Sequence, residues 1–524
     1  MVERRIGLNP PFHRIANTVQ VSDKCAFNSA FSQTQPTSVF RTERTLQQSR
    51  YVERRIRRLL SGPHHQTSDR NLSSQHNEQV RQPGGIRRPG AFRLACPPQV
   101  LYSPRQVRTD ARALAPAEVS VSDGSNAANS DATSIKSWAS KLGGGFLRVT
   151  SSGKFVPEVD GLRFLAISAV LTHHLMSTYL EFSKRFGPVT FPEAWERVTP
   201  LDPLIGVGFC GYFGVELFFT LSGFILALPF AAHYLQSAER PSLWNYYLRR
   251  VVRIEPPYAL ALLIAFAQGA VGRGWPLAIF LPHLLASMSY CHGVLYKSAS
   301  LVLGVAWSLE IEVQFYLLAP LLTLVAFSMR SKASRRVMLL CATMLLSYCI
   351  EGKLGPRLQY TLLHYGSYFT AGFLLADYYL LDWQKRPSKW PIVWDFIVIL
   401  MAAVMFALLL PISKMAGKCF FLLPLVTLVF FAAIFRSRYC RAALSAKPVV
   451  AIGGMCYSIY LIHPIALIFL KPYVEPLLQV NSPFYAAFLS YCAIALTNIA
   501  GASIAYYFLV EKPFMTLAAK LVRR

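Results

Sequence analysis

The sequence predicts an all-α polytopic membrane protein of about ten transmembrane helices, with one re-entrant segment and a disordered leader in front. Three observations predict it. The 524 residues are 53% hydrophobic and only 15% charged, with a mean hydropathy of +0.35, whereas soluble domains average about 25% charged. The charges are unevenly spread: residues 1–150 hold 22 basic and 10 acidic side chains, and residues 151–524 hold 31 and 17. Apolar runs of membrane-spanning length recur from residue 161 onward. These features exclude a single soluble domain, a coiled coil and a disulfide-built secreted module. The net charge of +26 would suit a nucleic-acid partner. About half of it lies in the leader, however, and the rest flanks apolar runs, a pattern of topology rather than of nucleic-acid binding.

Two units follow, a leader over residues 1–150 and a membrane domain over 151–524. The leader is rich in Ser, Gln, Asn, Pro and Arg and has no run fit to cross a bilayer or act as a signal peptide. It cannot bury enough surface to offset its conformational entropy, so it reads as disordered. The run YVERRIRRLL at 51–60 has the pattern of a short basic amphipathic helix, with a solvated Arg-rich tail as the plainer reading. The ten cysteines show no C-x-x-C pair and no metal-type spacing. They are expected to pack as small hydrophobes, with no metal site.

The spans are placed near 161–180, 211–232, 256–271, 302–328, 336–350, 360–381, 391–411, 418–435, 449–470 and 484–510. A run at 276–292 is interrupted by Pro282 and His283. Five basic clusters decide the parity: Arg249, Arg250 and Arg253; Arg330 to Arg336; Lys385, Arg386 and Lys389; Arg436, Arg438, Arg441 and Lys447; and the C-terminal lysines and arginines. If 276–292 does not cross, all five fall on the side of Arg148 and Lys154, which predicts both termini in the cytoplasm.

Ionisable groups inside spans cost about 2.5–3.5 kcal/mol each on insertion scales, so each needs a reason. They gather in five segments. In PEVDGLRFLAISAVLTHHL, Arg163 and His174 lie eleven residues apart on one helix face, separated by about 16 Å along the axis. His173 is the competing histidine. In GYFGVELFFTLSGFIL, helix packing explains the glycines but not Glu216. In YYLRRVVRIEPPYAL, Arg250 and Arg253 share a face, suited equally to phosphate recognition and to a topological anchor. In AWSLEIEVQFYLLAP, Ser308, Glu312 and Tyr316 form one stripe, and Glu310 adds a second acid. In MCYSIYLIHPIAL, Tyr460 and His463 lie one turn apart, with Ser458 near them. Pro464 leaves the Tyr460 carbonyl without its helical donor.

Together the five segments resemble the acyltransferase-3 family of bacterial integral-membrane O-acyltransferases over residues 155–514, leaving out the leader. Asp160-Gly161-Leu162-Arg163 followed by ten residues and His174 resembles the family's R-x10-H motif. FFTLSGFIL, Arg250-x-x-Arg253, WSLEIEVQFY and SIYLIHP resemble its F-F-x-x-S-G-F, R-x-x-R, W-S-L-x-x-E-x-x-F-Y and S-x-Y-L-x-H motifs. Three positions depart from the pattern: Glu216, where Asp is commoner, Glu255, where an apolar or aromatic residue is usual, and Glu310.

The resemblance implies a ten-helix core in the bacterial inner membrane. It implies transfer of an acyl group, commonly acetyl, from cytoplasmic acyl-CoA to a hydroxyl of a glycan or lipid-linked saccharide. Acyl-CoA is then the donor substrate, and no cofactor is held permanently. The chain ends about ten residues after Phe514, so the form without an appended SGNH domain is expected. In this reading Arg250 and Arg253 hold the phosphates of CoA. His174 acts as general base or carries the acyl group, Glu312 orients or balances His174 or an arginine, and Arg163 and His463 assist. Ser222, Tyr316, Ser458, Asp160 and Glu216 are candidates for substrate or oxyanion contacts. The rival is a polytopic transporter or exporter whose buried His and Glu form a path.

Overall fold

In a computed structural model, residues 156–183, 203–353, 358–384, 386, 388–410, 419–478 and 483–523 are described. The leader, its 51–60 run and Lys385 lie outside them. Among the described residues every regular element is helical, as the hydropathy pattern requires. The first helix, α1 (Pro157–Ser183), opens on a proline with Glu158 and Asp160 in its first turn, where negative charge suits the helix dipole. A short α2 (Pro203–Cys210) runs through a 3₁₀ turn into α3 (Gly214–Gln236). Next comes α4 (Leu243–Gly272), started by Ser242, whose hydroxyl accepts from the Asn245 amide at 3.4 Å.

The 276–292 run becomes α5 (Leu277–Met288), continuous through Pro282 and His283, and the start of α6 (His292–Tyr296); the break falls at 289–291 rather than at Pro282. The 12 residues of α5 reach only about 18 Å, short of the roughly 30 Å apolar layer, as expected for a segment that does not cross. The chain continues through α7 (Ala306–Phe327), α8 (Lys332–Lys353), α9 (Leu362–Tyr378), α10 (Pro391–Leu409) and α11 (Leu423–Arg436). It closes with α12 (Tyr439–Leu444), α13 (Lys447–Gly454), α14 (Cys456–Val474), α15 (Phe484–Tyr506) and α16 (Lys512–Arg523). Wider π-turns follow α9 at Tyr379–Trp383 and α15 at Tyr507–Glu511.

Among the described residues six stretches are long and apolar enough to cross a membrane: Ile205–Gln236, Leu243–Gly272, Ala306–Phe327, Pro391–Leu409, Cys456–Leu477 and Phe484–Leu521. The other four predicted positions are also helical, in α1, α8, α9 and α11. Large apolar side chains stay exposed on these helices, among them Val271 at 89%, Phe396 at 67% and Leu489 at 66%. That outward-facing apolar surface suits lipid and would be a liability in water.

Two span boundaries differ from the sequence reading. The run starting at 256 is the second half of a longer helix, so Pro256 and Pro257 lie inside α4, with Arg250 and Arg253 in its first half. Phenols support the proline region: Tyr457 donates to the Ile254 carbonyl at 2.9 Å, and Tyr506 donates to that of Pro257. The 449–470 run is two helices, α13 and α14, joined at Met455.

Small residues let backbones approach at the centre. A Cβ on Gly223 would come within 2.5 Å of the Phe369 carbonyl, and one on Gly372 would collide with that of Thr220, so α3 and α9 cross closely. At one end, ion pairs join the basic clusters. Arg335 and Arg336 pair with Asp377 at 2.5 and 2.6 Å, and Lys332 and Arg336 pair with Asp382 at 2.5 and 2.6 Å. Burial alone would raise the Asp382 carboxyl, but the bonds from Lys332 and Arg336 outweigh it and hold it below its ordinary value. Asp395 accepts from the backbone amides of Arg438, Tyr439 and Cys440, and Arg441 pairs with Glu158 at 2.9 Å. Arg441 puts the 436–447 cluster at the start of α1, and Arg436, 5.8 Å over the ring of Trp383 beside Asp382, brings the 330–336 network to the same end. The C-terminal α16 packs on α4, which carries the first cluster.

Candidate functional site

Four helices bring the predicted polar residues inward. From α1 come Arg163 and His174, from α3 Ser222, from α7 Glu312 and Tyr316, and from α14 Ser458, Tyr460 and His463. The two histidine motifs, far apart in sequence, meet: the rings of His174 and His463 have centroids 4.8 Å apart. Pro464 helps to fix His463. Nδ1 of His463 donates to the Ile459 carbonyl at 3.0 Å and interacts with that of Tyr460, the carbonyl that the proline leaves without a helical donor. With the proton on Nδ1, the lone pair is on Nε2, which is buried with no hydrogen-bond partner among the described residues. His173, the competing residue, is 2% exposed and bonds the Phe209 carbonyl through Nδ1 at 3.0 Å. It is a packed structural histidine, while His174 is half-buried.

Glu312 sits on the arginine side. Ser222 Oγ donates to its Oε1 at 2.6 Å, and the Tyr316 phenol hydrogen-bonds the same carboxylate. Arg250 lies 3.6 Å over the Tyr246 ring and 5.6 Å from that of Tyr316, and it donates to the Tyr246 carbonyl at 2.8 Å. Tyr246 and Tyr247 donate to the carbonyls of Tyr316 and Leu317 at 3.1 and 3.0 Å, tying α4 to α7. Glu312 is within charge reach of both Arg250 and Arg163. Of its two expected roles, the geometry favours balancing the arginines. The same contacts correct the expectation for Ser222 and Tyr316: a carboxylate has already captured their hydroxyl donors, so neither is a ready oxyanion donor.

A second polar cluster holds Asp160 and Ser458. Asp160, 2% exposed, is paired with Arg163 one turn away. The amide and hydroxyl of Ser458 donate to Glu511 Oε2 at 3.1 and 2.5 Å. Asp160 and Ser458 are therefore engaged with protein partners rather than offered to a substrate. Glu216, half-buried on α3, lies within charge reach of Tyr365 and Tyr460. Sequence reasoning missed Glu511. The signal was a carboxylate one residue beyond the last predicted span, just before Lys512 and Pro513.

The two other unusual acids have a visible task. Glu255 accepts from the Tyr290 phenol at 2.6 Å, and Glu310 Oε2 accepts from the Gly293 amide at 2.7 Å. Each sits two residues from a motif residue, Arg253 or Glu312, and anchors the α5–α6 segment against the helix that carries it. No group of three or more His, Cys, Asp or Glu suited to a metal occurs among the described residues. For an anionic group the candidates are Arg250 and Arg253, whose Nε atoms are buried without hydrogen-bond partners among the described residues. The described residues thus offer an imidazole pair and, on α4, guanidinium donors.

Residues 156–507 match the family model described as an acyltransferase domain. The chain is 23% identical over 395 residues to the O-acetyltransferase OatA of Staphylococcus aureus (strain NCTC 8325 / PS 47), covering 69% of this chain and 57% of the relative. It is also 23% identical over 390 residues to the putative O-acetyltransferase SACOL0978 of Staphylococcus aureus (strain COL), with the same coverage of 69% and 57%. The chain thus spans a little over half the length of these curated relatives. No solved structure matches it.

Proposed function

The chain belongs to the acyltransferase-domain family, and on that premise we propose that it is a membrane O-acyltransferase. It moves an acyl group, acetyl by preference, from acyl-CoA to a hydroxyl of a glycan or lipid-linked saccharide. The observation that carries this reading is the meeting of His174 and His463, the latter on α14, which is bonded through the Ile465 carbonyl to Gln268 of α4, the helix that bears Arg250 and Arg253. Both relatives are named for O-acetyl transfer.

The chemistry needs a proton acceptor near the acceptor hydroxyl and an anchor for the donor's phosphates. Arg250 and Arg253 supply the anchor, because planar, permanently charged guanidinium groups suit phosphate oxygens. Stacking on Tyr246 holds the Arg250 fork in place. His174 takes the hydroxyl proton as the oxygen attacks the thioester carbonyl. The C–O bond forms, the C–S bond breaks, and the proton passes to the departing thiolate. The lone pair on His463 Nε2 adds a second acceptor for that proton within the pair.

The bundle lies in the bacterial inner membrane with ten crossings and both termini cytoplasmic, so the arginine end faces the pool of acyl-CoA. Positive-inside charge and the shared end of the basic clusters support this. Cysteine labelling in sealed vesicles is expected to place 330–336 on the cytoplasmic side; external labelling there would reverse the orientation. Arg250→Ala/Arg253→Ala is expected to weaken CoA binding at least about tenfold, as lost charge-assisted bonds are worth about 1.5–3 kcal/mol each. Unchanged affinity by calorimetry would reduce the arginines to topological anchors.

A further inference from the structure

Glu511 is a buried charge that the reaction above does not use. It is 0% exposed, whereas Leu509, two residues earlier in the same π-turn, is 78% exposed. Its Oε2 takes both donors of Ser458, at 3.1 and 2.5 Å, in the first turn of α14, where the helix dipole favours negative charge. Its Oε1 is buried and has no hydrogen-bond partner among the described residues. Arg253 and Arg163 are its charge neighbours. The Nε of Arg253 is likewise buried and unpartnered. Tyr457 and Tyr506, which donate to the Ile254 and Pro257 carbonyls, clamp α4 at this point.

We propose that Glu511 is a positioning residue for the anionic donor, the resident counter-charge of Arg253 that donor phosphate must outcompete. This rests on the reading of Arg253 as part of the donor site. A guanidinium held in an apolar bundle is costly unless something balances it. A carboxylate near it but not bonded to it balances the charge while leaving the donor face open to phosphate. The same carboxylate repels the phosphates of CoA, which weakens donor binding and speeds release of the product.

The test is CoA affinity by calorimetry and steady-state kinetics with acetyl-CoA, on the full chain in nanodiscs. Glu511→Gln keeps an oxygen for Ser458 and removes the charge. CoA should bind about tenfold more tightly, with KM and kcat both lowered as release slows. Ser458→Ala, which keeps the charge, should leave CoA affinity within about twofold. If Glu511→Gln leaves affinity unchanged or weakens it, the proposal is overturned. If that variant does not fold, thermal unfolding of Arg253→Gln and Arg253→Gln/Glu511→Gln decides instead. A counter-charge role predicts that the second substitution restores stability, and a purely structural Glu511 predicts further loss. Should Arg253→Gln leave CoA affinity intact, the donor-site reading fails. Should it weaken affinity while Glu511→Gln does not strengthen it, only the role of Glu511 fails.

Discussion

His174→Ala, in protein that inserts and folds normally, is expected to lose acyl transfer by at least about 10²-fold, the scale of a positioned general base. His174 is half-buried, so its removal opens little of the core, and its ring lies 4.8 Å from that of His463, whose buried Nε2 has no partner among the described residues. Its sequence neighbour is the control. His173→Ala breaks a buried bond to the Phe209 carbonyl, which should cost about 1–3 kcal/mol of stability while the folded fraction keeps its turnover. The two variants therefore separate chemistry from packing within one dipeptide. Turnover per folded molecule is the measurement. Activity of His174→Ala within about tenfold of the parent would remove it from the mechanism.

Asp377→Ala is expected to have the largest effect on folding. Asp377 is 0% exposed and receives Arg335, 1% exposed, at 2.5 Å and Arg336 at 2.6 Å. Removing the carboxylate leaves the buried guanidinium of Arg335, whose remaining bond among the described residues is to the Met329 carbonyl, at 2.8 Å. Breaking a buried pair from one side costs about 3–5 kcal/mol. Arg336 keeps Asp382 at 2.6 Å and the Tyr378 ring at 3.7 Å, so it suffers less. The expected result is poor recovery and a lowered unfolding midpoint in detergent. Asp377→Glu should recover part of the loss. An unchanged midpoint for Asp377→Ala would show that the network adds no stability.

The parts legible in sequence were those with a strong local signal. Long apolar runs separated by basic clusters gave the helices, whereas Pro282 and His283, read as an interruption, lie inside α5, which ends at Met288 after 12 residues. Arg163 and His174 were placed on one helix by spacing alone. The prolines of α4 misled at a boundary, because tyrosines from α14 and α15 support the helix around them, and such partners are far away in the chain. The roles of Ser222, Tyr316, Ser458 and Asp160 were not legible for the same reason. A hydroxyl or carboxylate in an apolar run states that it needs a partner, not which one. Glu255 and Glu310 looked like unexplained extra acids until Tyr290 and Gly293 were seen to meet them.

The central claim is that the imidazole pair catalyses transfer from a thioester donor held by the arginine helix. Free-thiol release from acetyl-CoA by the purified chain in nanodiscs, with and without a glycan acceptor, tests it most directly. Release that requires the glycan, yields an O-acetylated product and disappears in His174→Ala is the result the account predicts. No thiol release with any hydroxyl acceptor, together with movement of a saccharide across sealed vesicles, would contradict it and identify a transporter.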